Sequence, residues 1–357
     1  GRLDGKAVFV PGAVPGDTVD VELVLDKARF ARARLRTIIE PSAHRIEMPC
    51  PHATECGGCT WQMAPRSLQA EWKEQAVRDA LERIGSFESA PVLPITTPGP
   101  DFGYRNRIDL HADPAGPGFH RAGSHDVVPI EVCLLAAPPV AALLCEVKGR
   151  PADADLTLRA GVKTGEAVII GGAHARPSEA VITEIVGGER FQISGRAFFQ
   201  PNTDGAELLV NLVRRAAGNG ELLIDAYAGV GLFAGTVGRS FERIVAIEVS
   251  RRAVGDLRRN VPSAEVVPRP TVVGLRAMSG PVDTLVVDPP REGLGADTVA
   301  EILRIRPRVL VSVSCDAATF ARDARQLVDG GYRLESVQPV DQFPQTPHIE
   351  TVSRFTL

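Results

Sequence analysis

The alternation of apolar and polar positions divides the chain into three parts. Up to about residue 40, short alternating runs between Pro-Gly turns predict a small antiparallel β-barrel that is shortened at its start. Between 41 and 190, a helical stripe over 64–84 precedes further short strands, which predicts a β-rich domain. From 191 to 357, apolar strands alternate with helical segments, as in a doubly wound parallel sheet. The predicted fold class is α/β, preceded by two β-rich modules.

The first strand of the predicted parallel sheet ends on a carboxylate and two glycines. Asp225 follows an apolar run, and Gly229 and Gly231 occupy the strand-to-helix turn, where glycine lets a nucleoside approach the backbone. Glu248 ends the next strand, nineteen residues after Gly229, where an acid can bind two ribose hydroxyls. Because no third glycine of the dinucleotide pattern follows, the turn favours an adenosyl ligand without a pyrophosphate.

Two later strands also end on reactive side chains. Cys315 follows an apolar strand, and Asp316 opens a predicted helix whose N-terminus would favour a thiolate; a small buried thiol is the alternative interpretation. Asp288 stands in an Asp-Pro-Pro sequence that forms a rigid lip, where it offers an acceptor to a ring N–H or simply caps a turn. Glu350 begins the last strand of a predicted closing antiparallel pair, and we expect it to reach the same pocket.

Three of the six cysteines lie within ten residues of one another. Cys50, Cys56 and Cys59 form a knuckle with two glycines, which lets backbone amides turn toward sulfur and predicts a metal centre. Zinc and an iron–sulfur cluster both accept thiolates, so the spacing does not select the metal. Either Cys133 or Cys145 is expected to supply the fourth ligand.

Composition limits the class of protein. The 357 residues are 44% hydrophobic and 24% charged with a formal net charge of −4, so any contact with nucleic acid must come from local patches. Arg105 and Arg107 share one face of a predicted strand, where phosphate contacts and structural ion pairs are both reasonable. No run of 18 apolar residues occurs, and we expect a cytoplasmic enzyme without a membrane partner. Nothing in the sequence requires more than a monomer.

Taken together, the motifs of this sequence resemble those of a known enzyme family. The sequence resembles the S-adenosylmethionine-dependent RNA uridine-C5 methyltransferases, in which a TRAM domain and a cysteine-ligated iron–sulfur module precede the methyltransferase fold. The motifs are Cys50-x5-Cys56-Gly-Gly-Cys59, Tyr104-Arg-Asn-Arg107, Phe198-Phe199-Gln200-Pro-Asn202, Asp225-x3-Gly229-x-Gly231, Asp288-Pro-Pro-Arg-Glu-Gly293, Ser314-Cys315-Asp316 and His348-Ile-Glu350. The resemblance implies an OB-like TRAM domain over 1–40, a central domain over 41–190 and a Rossmann-like class I methyltransferase domain over 191–357.

The resemblance also implies roles for single residues. Cys315 would be the nucleophile and Glu350 the base, with Asp288 and Gln200 flanking the target uracil and the cofactor. The implied S-adenosylmethionine site comprises Gln200, Asp225, Tyr227, Gly229, Gly231, Glu248 and Asp288. The implied RNA contacts are Phe198, Gln200, Arg105 and Arg107. The implied ligands of a four-iron, four-sulfur cluster are Cys50, Cys56, Cys59 and Cys133, with zinc as the weaker alternative.

Two departures from the family pattern stand out. The TRAM domain lacks its first strand, and Asp316 stands where many relatives have asparagine. A carboxylate beside the sulfur is expected to raise the pKa of the thiol.

The chemistry of uracil independently requires such residues. Carbon 5 is a poor nucleophile, so a thiolate must first add to carbon 6, and a base must later remove the proton from carbon 5. The base must be unpaired or flipped out, which points to a loop of transfer RNA or ribosomal RNA. Two other functions are compatible with parts of this pattern. One is an iron–sulfur RNA-binding or redox-sensing protein with an inactive methyltransferase fold, and the other is a cytosine-C5 methyltransferase. The absence of a cysteine two residues after Asp288 disfavours the latter.

Overall fold

The N-terminal part of the chain is a single small sheet. The computed structural model describes residues 1–3 and 5–357. The first four strands are β1 (Arg2–Leu3), β2 (Lys6–Phe9), β3 (Thr18–Asp26) and β4 (Phe30–Glu40). They pair in the order β1-β2-β4-β3, with β2 and β4 parallel. Sequence analysis predicted only antiparallel pairing, which is wrong here. The chain reverses twice between β2 and β4, so the two strands run the same way when they lie side by side.

The central part combines two helices with short antiparallel strands. Its elements are α1 (Arg66–Arg83), β5 (Arg107–Leu110), β6 (Gly118–His120), β7 (Val127–Pro129), α2 (Pro138–Val147), β8 (Leu156–Ala160), β9 (Ala167–Ile170), β10 (Val181–Val186) and β11 (Glu189–Ser194). The strands pair as β5-β8-β9, β6-β7 and β10-β11, all antiparallel. This part is β-rich, as predicted, but the sequence analysis did not predict α2.

The C-terminal part alternates strands and helices around one sheet. Its elements are α3 (Thr203–Ala217), β12 (Gly220–Ala226), α4 (Leu232–Thr236), β13 (Phe241–Ile247), α5 (Arg251–Asn260), β14 (Glu265–Val267), α6 (Thr271–Arg276), β15 (Thr284–Val287), α7 (Gly295–Ile305), β16 (Val309–Ser314), α8 (Ala317–Asp329), β17 (Arg333–Val340) and β18 (Glu350–Thr356). The order is β14-β13-β12-β15-β16-β18-β17. The first five strands are parallel, whereas β18 runs antiparallel to β16 and β17.

This topology determines where a ligand can bind. The strand order reverses at β12, and β12, β15 and β16 end at the same edge of the sheet. Their side chains are buried on both faces, as expected for strands covered by helices. Ligands of doubly wound sheets bind at the carboxyl ends of the strands, next to the switch point. The residues that follow these three strands are therefore the candidates for chemistry.

Helix α1 belongs to the core of the C-terminal part, although it precedes that part by more than a hundred residues in the chain. Val77 and Leu81 are fully buried in the same apolar cluster as Phe320 and Leu327 of α8. The stretch after α1 also pairs with β17, through a bridge between Val92 and Val337. The packing of α1 therefore brings the neighbouring cysteine segment close to the sheet.

None of the described helices is long and apolar enough to cross a membrane.

The β17–β18 loop, residues 341–349, is held from outside the sheet. Lys73 of α1 pairs with Asp341, and both side chains are fully buried. The Lys73 ammonium also donates to the Phe343 carbonyl at 2.9 Å. Gln69 accepts the Gln345 N–H at 2.8 Å and donates to its side-chain oxygen at 3.0 Å. The central part of the chain therefore fixes the loop that leads into Glu350.

We predict that the substitution Lys73→Met lowers the free energy of unfolding by about 3 kcal/mol, because it leaves the buried Asp341 carboxylate with only the Arg66 guanidinium, 3.4 Å away, as its counter-charge. Denaturant unfolding monitored by fluorescence measures the change. The matched control is Lys6→Met, which removes an ion pair with Asp26 whose side chains are 33% and 55% exposed. That control should cost less than about 1 kcal/mol. Equal effects of the two substitutions would contradict the role assigned to the buried pair.

Candidate active site

Four acids and a thiol gather at the edge where the strands end. Asp225 lies in β12, Asp288 follows β15, Cys315 follows β16, Glu248 follows β13 and Glu350 begins β18. Their charges influence one another: the pKa of Asp225 is raised to about 7, first by burial and then by Asp288 and Glu248. The structure therefore brings together the residues that sequence analysis assigned to catalysis and to the cofactor.

Cys315 lies between a buried strand and a capped helix. Asp316 caps α8, because its side chain accepts the N–H groups of Ala318 and Thr319 at 3.0 and 2.8 Å. The pKa of the half-buried Cys315 thiol is raised to about 11, chiefly by burial and then by Glu350 and Asp288. The expectation that Asp316 raises this pKa is therefore corrected: burial causes most of the shift, Glu350 and Asp288 add to it, and the Asp316 carboxylate instead accepts hydrogen bonds from the helix.

The buried Glu350 and the half-buried Asp288 form a pair of carboxyl groups. Glu350 is 5% exposed, and among the described residues its Oε2 has no hydrogen-bond partner. Burial, followed by the charge of Asp288, raises the pKa of Glu350 well above its usual range, while Arg291 acts in the opposite direction. Burial also raises the pKa of Asp288 to about 7. Glu350 therefore has a raised proton affinity, and its free Oε2 can accept a proton from a substrate once the carboxyl group is ionised.

The turn after β12 provides a cradle for an adenosyl group. Glu248 accepts the N–H of Gly229 at 2.8 Å, which draws the ends of β12 and β13 together. Gly231 has φ +96°, and a Cβ there would lie 2.7 Å from a Leu257 methyl group, so only glycine fits. Tyr227 adopts φ +65°, a strained conformation that is typical of functional turns. The Oδ1 of the fully buried Asp225 has no partner among the described residues. Such a cradle, with free acceptors, fits the donors of an adenosyl ligand.

Gln200 lies at the end of a segment that enters the site from the side. Its backbone carbonyl accepts a hydrogen bond from Asn106 at 2.9 Å, and its side-chain oxygen accepts one from Gln342 at 3.1 Å. Phe199, the preceding residue, is buried in the apolar cluster that contains Val313 of β16. Phe198 points outward and is 65% exposed. The Phe-Phe-Gln sequence thus provides one anchor, one open aromatic ring and one oriented amide.

The two arginines assigned to RNA lie in different environments. Arg107 forms an ion pair with Asp109 at 3.0 Å, which agrees with the structural interpretation of this residue. Arg105 lines the cysteine cavity, and its Nε is buried without a partner among the described residues. The surroundings of these two side chains therefore do not by themselves define an RNA-binding surface.

Four cysteines line one cavity. The cavity has a volume of about 140 Å³ and is lined by Cys50, Cys56, Cys59 and Cys133 together with Arg105. Burial raises the pKa of Cys59 to about 11, Cys133 adds to this effect, and Arg105 opposes it. Cys145 is exposed on α2, outside the cavity. Among residues 1–3 and 5–357, no three His, Cys, Asp or Glu side chains converge closely enough to hold a single metal ion. The thiols, the unpartnered Nε of Arg105 and the space between them fit a larger anionic group.

Sequence reasoning missed the site residue Gln342. This fully buried amide lies in the β17–β18 loop and contacts Gln200. A possible signal was Gly205, a glycine in the first turn of α3 where helix propensity disfavours it. A glycine in that position indicates that another group needs the space.

Fold and site together define a class I methyltransferase with a cysteine and an acid at its strand ends. Profiles of the tRNA (uracil-5-)-methyltransferase family and of the TRAM domain match residues 271–354 and 1–35. An uncharacterized RNA methyltransferase of Gloeobacter violaceus is 34% identical over 98% of this chain and 91% of its own length. An uncharacterized RNA methyltransferase of Synechocystis is 33% identical over 98% of this chain and 91% of its own length.

A solved structure resembles the whole chain. The tRNA (uracil-54, C5)-methyltransferase of Pyrococcus abyssi, in complex with S-adenosyl-L-homocysteine, has a TM-score of 0.78 and 27% identity over 99% of this chain and 96% of its own. The chain belongs to the family of S-adenosylmethionine-dependent RNA uracil-C5 methyltransferases.

We predict that the raised pKa of Asp225 makes the ligand-free protein less stable as the pH rises. From about pH 4 to about 7 the folded protein keeps a proton that the unfolded chain has lost, so the free energy of unfolding falls over this range. Asp225→Asn should therefore lose less stability than the wild type between about pH 5 and about pH 8.

Urea unfolding at the two pH values measures this difference. Asp20→Asn on the exposed face of β3 is the matched control, and it should keep the wild-type pH dependence. Identical pH dependence in Asp225→Asn and the wild type would contradict the prediction.

Proposed function

We propose that this enzyme methylates carbon 5 of a uridine in structured RNA through a covalent adduct between Cys315 and carbon 6 of the uracil. The observation that carries the proposal is the placement of the Cys315 thiol close enough to Glu350 and Asp288 for their charges to raise its pKa. A thiol and a buried carboxyl with a free oxygen are the two groups that the reaction requires.

The first step is nucleophilic attack. The Cys315 thiol loses its proton to water, the thiolate adds to carbon 6, and electron density moves onto carbon 5. Carbon 5 would then take the methyl group, with S-adenosyl-L-homocysteine as the leaving group. S-adenosylmethionine supplies an electrophilic methyl group, together with a positive charge that favours the anionic forms of neighbouring acids. The residues proposed to hold it are Gln200, Asp225, Tyr227, Gly229, Gly231, Glu248 and Asp288.

The second step is elimination. After methylation, carbon 5 carries both the methyl group and a proton. Glu350 removes the proton through its free Oε2, the carbon 5–carbon 6 double bond re-forms, and the sulfur leaves. The buried environment of Glu350 gives the carboxylate a high proton affinity, which suits a carbon acid.

Recognition of the base uses the polar edge of uracil. Asp288 accepts a hydrogen bond from the ring N–H, and Gln200 contacts the ring as well. The exposed Phe198 ring is available for stacking on RNA, since bases that are splayed out of a loop are commonly bound in this way. Arg105, Arg107 and the TRAM domain over 1–40 complete the proposed RNA contacts.

The RNA substrate is proposed as a loop with an unpaired or flipped uridine. The Pyrococcus abyssi relative is named for uridine 54 of tRNA. That name supports transfer RNA as the first substrate to test, with ribosomal RNA as the second. Mapping 5-methyluridine in RNA from cells with and without the gene decides between them.

We further propose that the cysteine cavity holds a four-iron, four-sulfur cluster. Four thiols around about 140 Å³ and the unpaired Nε of Arg105 support an anionic cluster more than a single zinc ion, whose thiolates must all lie about 2.3 Å from one point. The proposed ligands are Cys50, Cys56, Cys59 and Cys133.

We predict that Cys315→Ala abolishes methyl transfer, whereas Glu350→Gln accumulates a covalent protein–RNA complex. The first variant cannot form the adduct, and the second forms it but cannot remove the proton. Transfer of a radiolabelled methyl group and denaturing gels measure the two effects. Cys145→Ala, which changes an exposed thiol on α2, is the matched control and should retain activity. A Cys315→Ala variant that still turns over would refute the mechanism.

We predict that Cys133→Ser loses the metal centre and Cys145→Ser retains it. Protein purified without oxygen should be brown, and iron and sulfide analysis should find four of each per chain. Of Cys133 and Cys145, only Cys133 lines the cavity, so only its substitution should remove the metal centre. Stoichiometric zinc without visible absorbance would show instead that the site holds zinc.

A further inference from the structure

Gln342 is enclosed on all sides by groups of the site. Its side chain is fully buried, and its Nε2 donates to the Oε1 of Gln200 at 3.1 Å. Its backbone carbonyl accepts the side-chain amide of Asn202 at 3.0 Å. Residue 342 is also part of the loop that Lys73 and Gln69 hold from the other side. Gln342 therefore has little freedom to move, and it contacts the amide of Gln200, which is proposed to bind the target uracil.

The surroundings of Gln342 determine which way its amide points. Its Oε1 has no hydrogen-bond partner among the described residues, and a Cβ placed on Gly205 would lie 1.6 Å from it. The oxygen thus abuts the Cα of Gly205, where a weak Cα–H contact is acceptable. The reverse orientation would bury an N–H group there without an acceptor, and unpaired buried donors are rarer than unpaired acceptors.

The orientation of Gln342 in turn sets that of Gln200. The Oε1 of Gln200 accepts a hydrogen bond from Gln342, so the Nε2 of Gln200 is the amide atom that this contact leaves free. This nitrogen donates to none of the described residues and is not fully buried, so it is available to a ligand. The free end of Gln200 is therefore a donor.

We propose that Gln342 is a positioning residue for base specificity, which holds Gln200 so that its NH2 group faces the target base and accepts uracil rather than cytosine. The inference rests on the proposed function. At position 4, uracil carries a carbonyl acceptor and cytosine an amino donor, so a fixed donor binds the first and opposes the second.

The N3 edge alone discriminates weakly in this site. Asp288 can accept the N3–H of uracil when ionised, and it can donate to N3 of cytosine when protonated. Burial raises its pKa to about 7 in the ligand-free protein, so the protonated form is accessible to Asp288. Discrimination must then come from position 4, where Gln200 provides a donor of fixed orientation.

Gly205 offers an unusually selective way to disturb this arrangement. Gly205→Ala improves helix propensity and has no positive φ to strain, yet its methyl group must displace the Gln342 amide. Gln342→Met removes the donor and keeps the length of the side chain. Two substitutions on different elements thus release the same Gln200 amide.

The test compares adduct formation on two RNAs. Transfer RNA and ribosomal RNA transcripts are made with 5-fluorouridine, or with 5-fluorocytidine after the mapped target uridine has been changed to cytidine. Fluorine at carbon 5 cannot be removed and traps the adduct. With S-adenosylmethionine present, both variants should trap fluorouridine RNA about tenfold more slowly and fluorocytidine RNA measurably faster than the wild type. General structural damage cannot raise the reaction with cytidine.

Gln338→Leu is the matched control, because this glutamine of β17 donates to the Pro94 carbonyl, away from the site. It should leave both rates unchanged. Rates with fluorocytidine RNA that stay at the wild-type level in both Gly205→Ala and Gln342→Met would overturn the inference. Failure of the wild type to trap fluorouridine RNA would instead refute the proposed function itself, so the two failures are distinguishable.

Discussion

The buried ion pair between Lys73 and Asp341 is the constraint on which the architecture of the site depends. Two charges that are fully removed from water are stable only with excellent geometry and further hydrogen bonds, which the Phe343 carbonyl supplies on one side. A pair of this kind tolerates a single arrangement of helix α1 and the β17–β18 loop. The ion pair therefore holds the loop in position, and with it residue 342, which contacts Gln200.

The same loop links the cysteine segment to the pocket. The N–H groups of Thr60 and Trp61, directly after Cys59, both donate to the Gln345 carbonyl at 3.1 Å. Gln345 has φ +70°, so its backbone is held in a strained conformation by these contacts. Tyr104, next to Arg105 of the cysteine cavity, donates to the Pro344 carbonyl at 2.9 Å. The β17–β18 loop thus contacts residues that directly neighbour the lining of the cysteine cavity, and the same loop leads into Glu350.

What the sequence could predict was local. The α/β class and the residues at the strand ends followed from apolar runs that stop on a polar side chain, and the structure confirms where Cys315 and Asp288 lie. The contact between Gln342 and Gln200 joins residues 142 apart, and no periodicity carries information about it. Helix α2 was missed because its sequence is apolar nearly all round, so it lacks the polar stripe that marks a surface helix.

Burial raises the pKa values of Asp225, Asp288 and Glu350, and neighbouring acids add to the effect at Asp225 and Glu350. Asp225 and Glu350 are buried and Asp288 is half-buried, so ionisation of these acids disfavours folding. Groups arranged for catalysis are commonly unfavourable for stability, and the surrounding structure must compensate. Here the compensation comes from the interactions that surround the β17–β18 loop. The fixed orientation of Gln200 is then a consequence of the same rigidity, because an amide can act as a donor of defined direction only when its neighbours cannot rearrange.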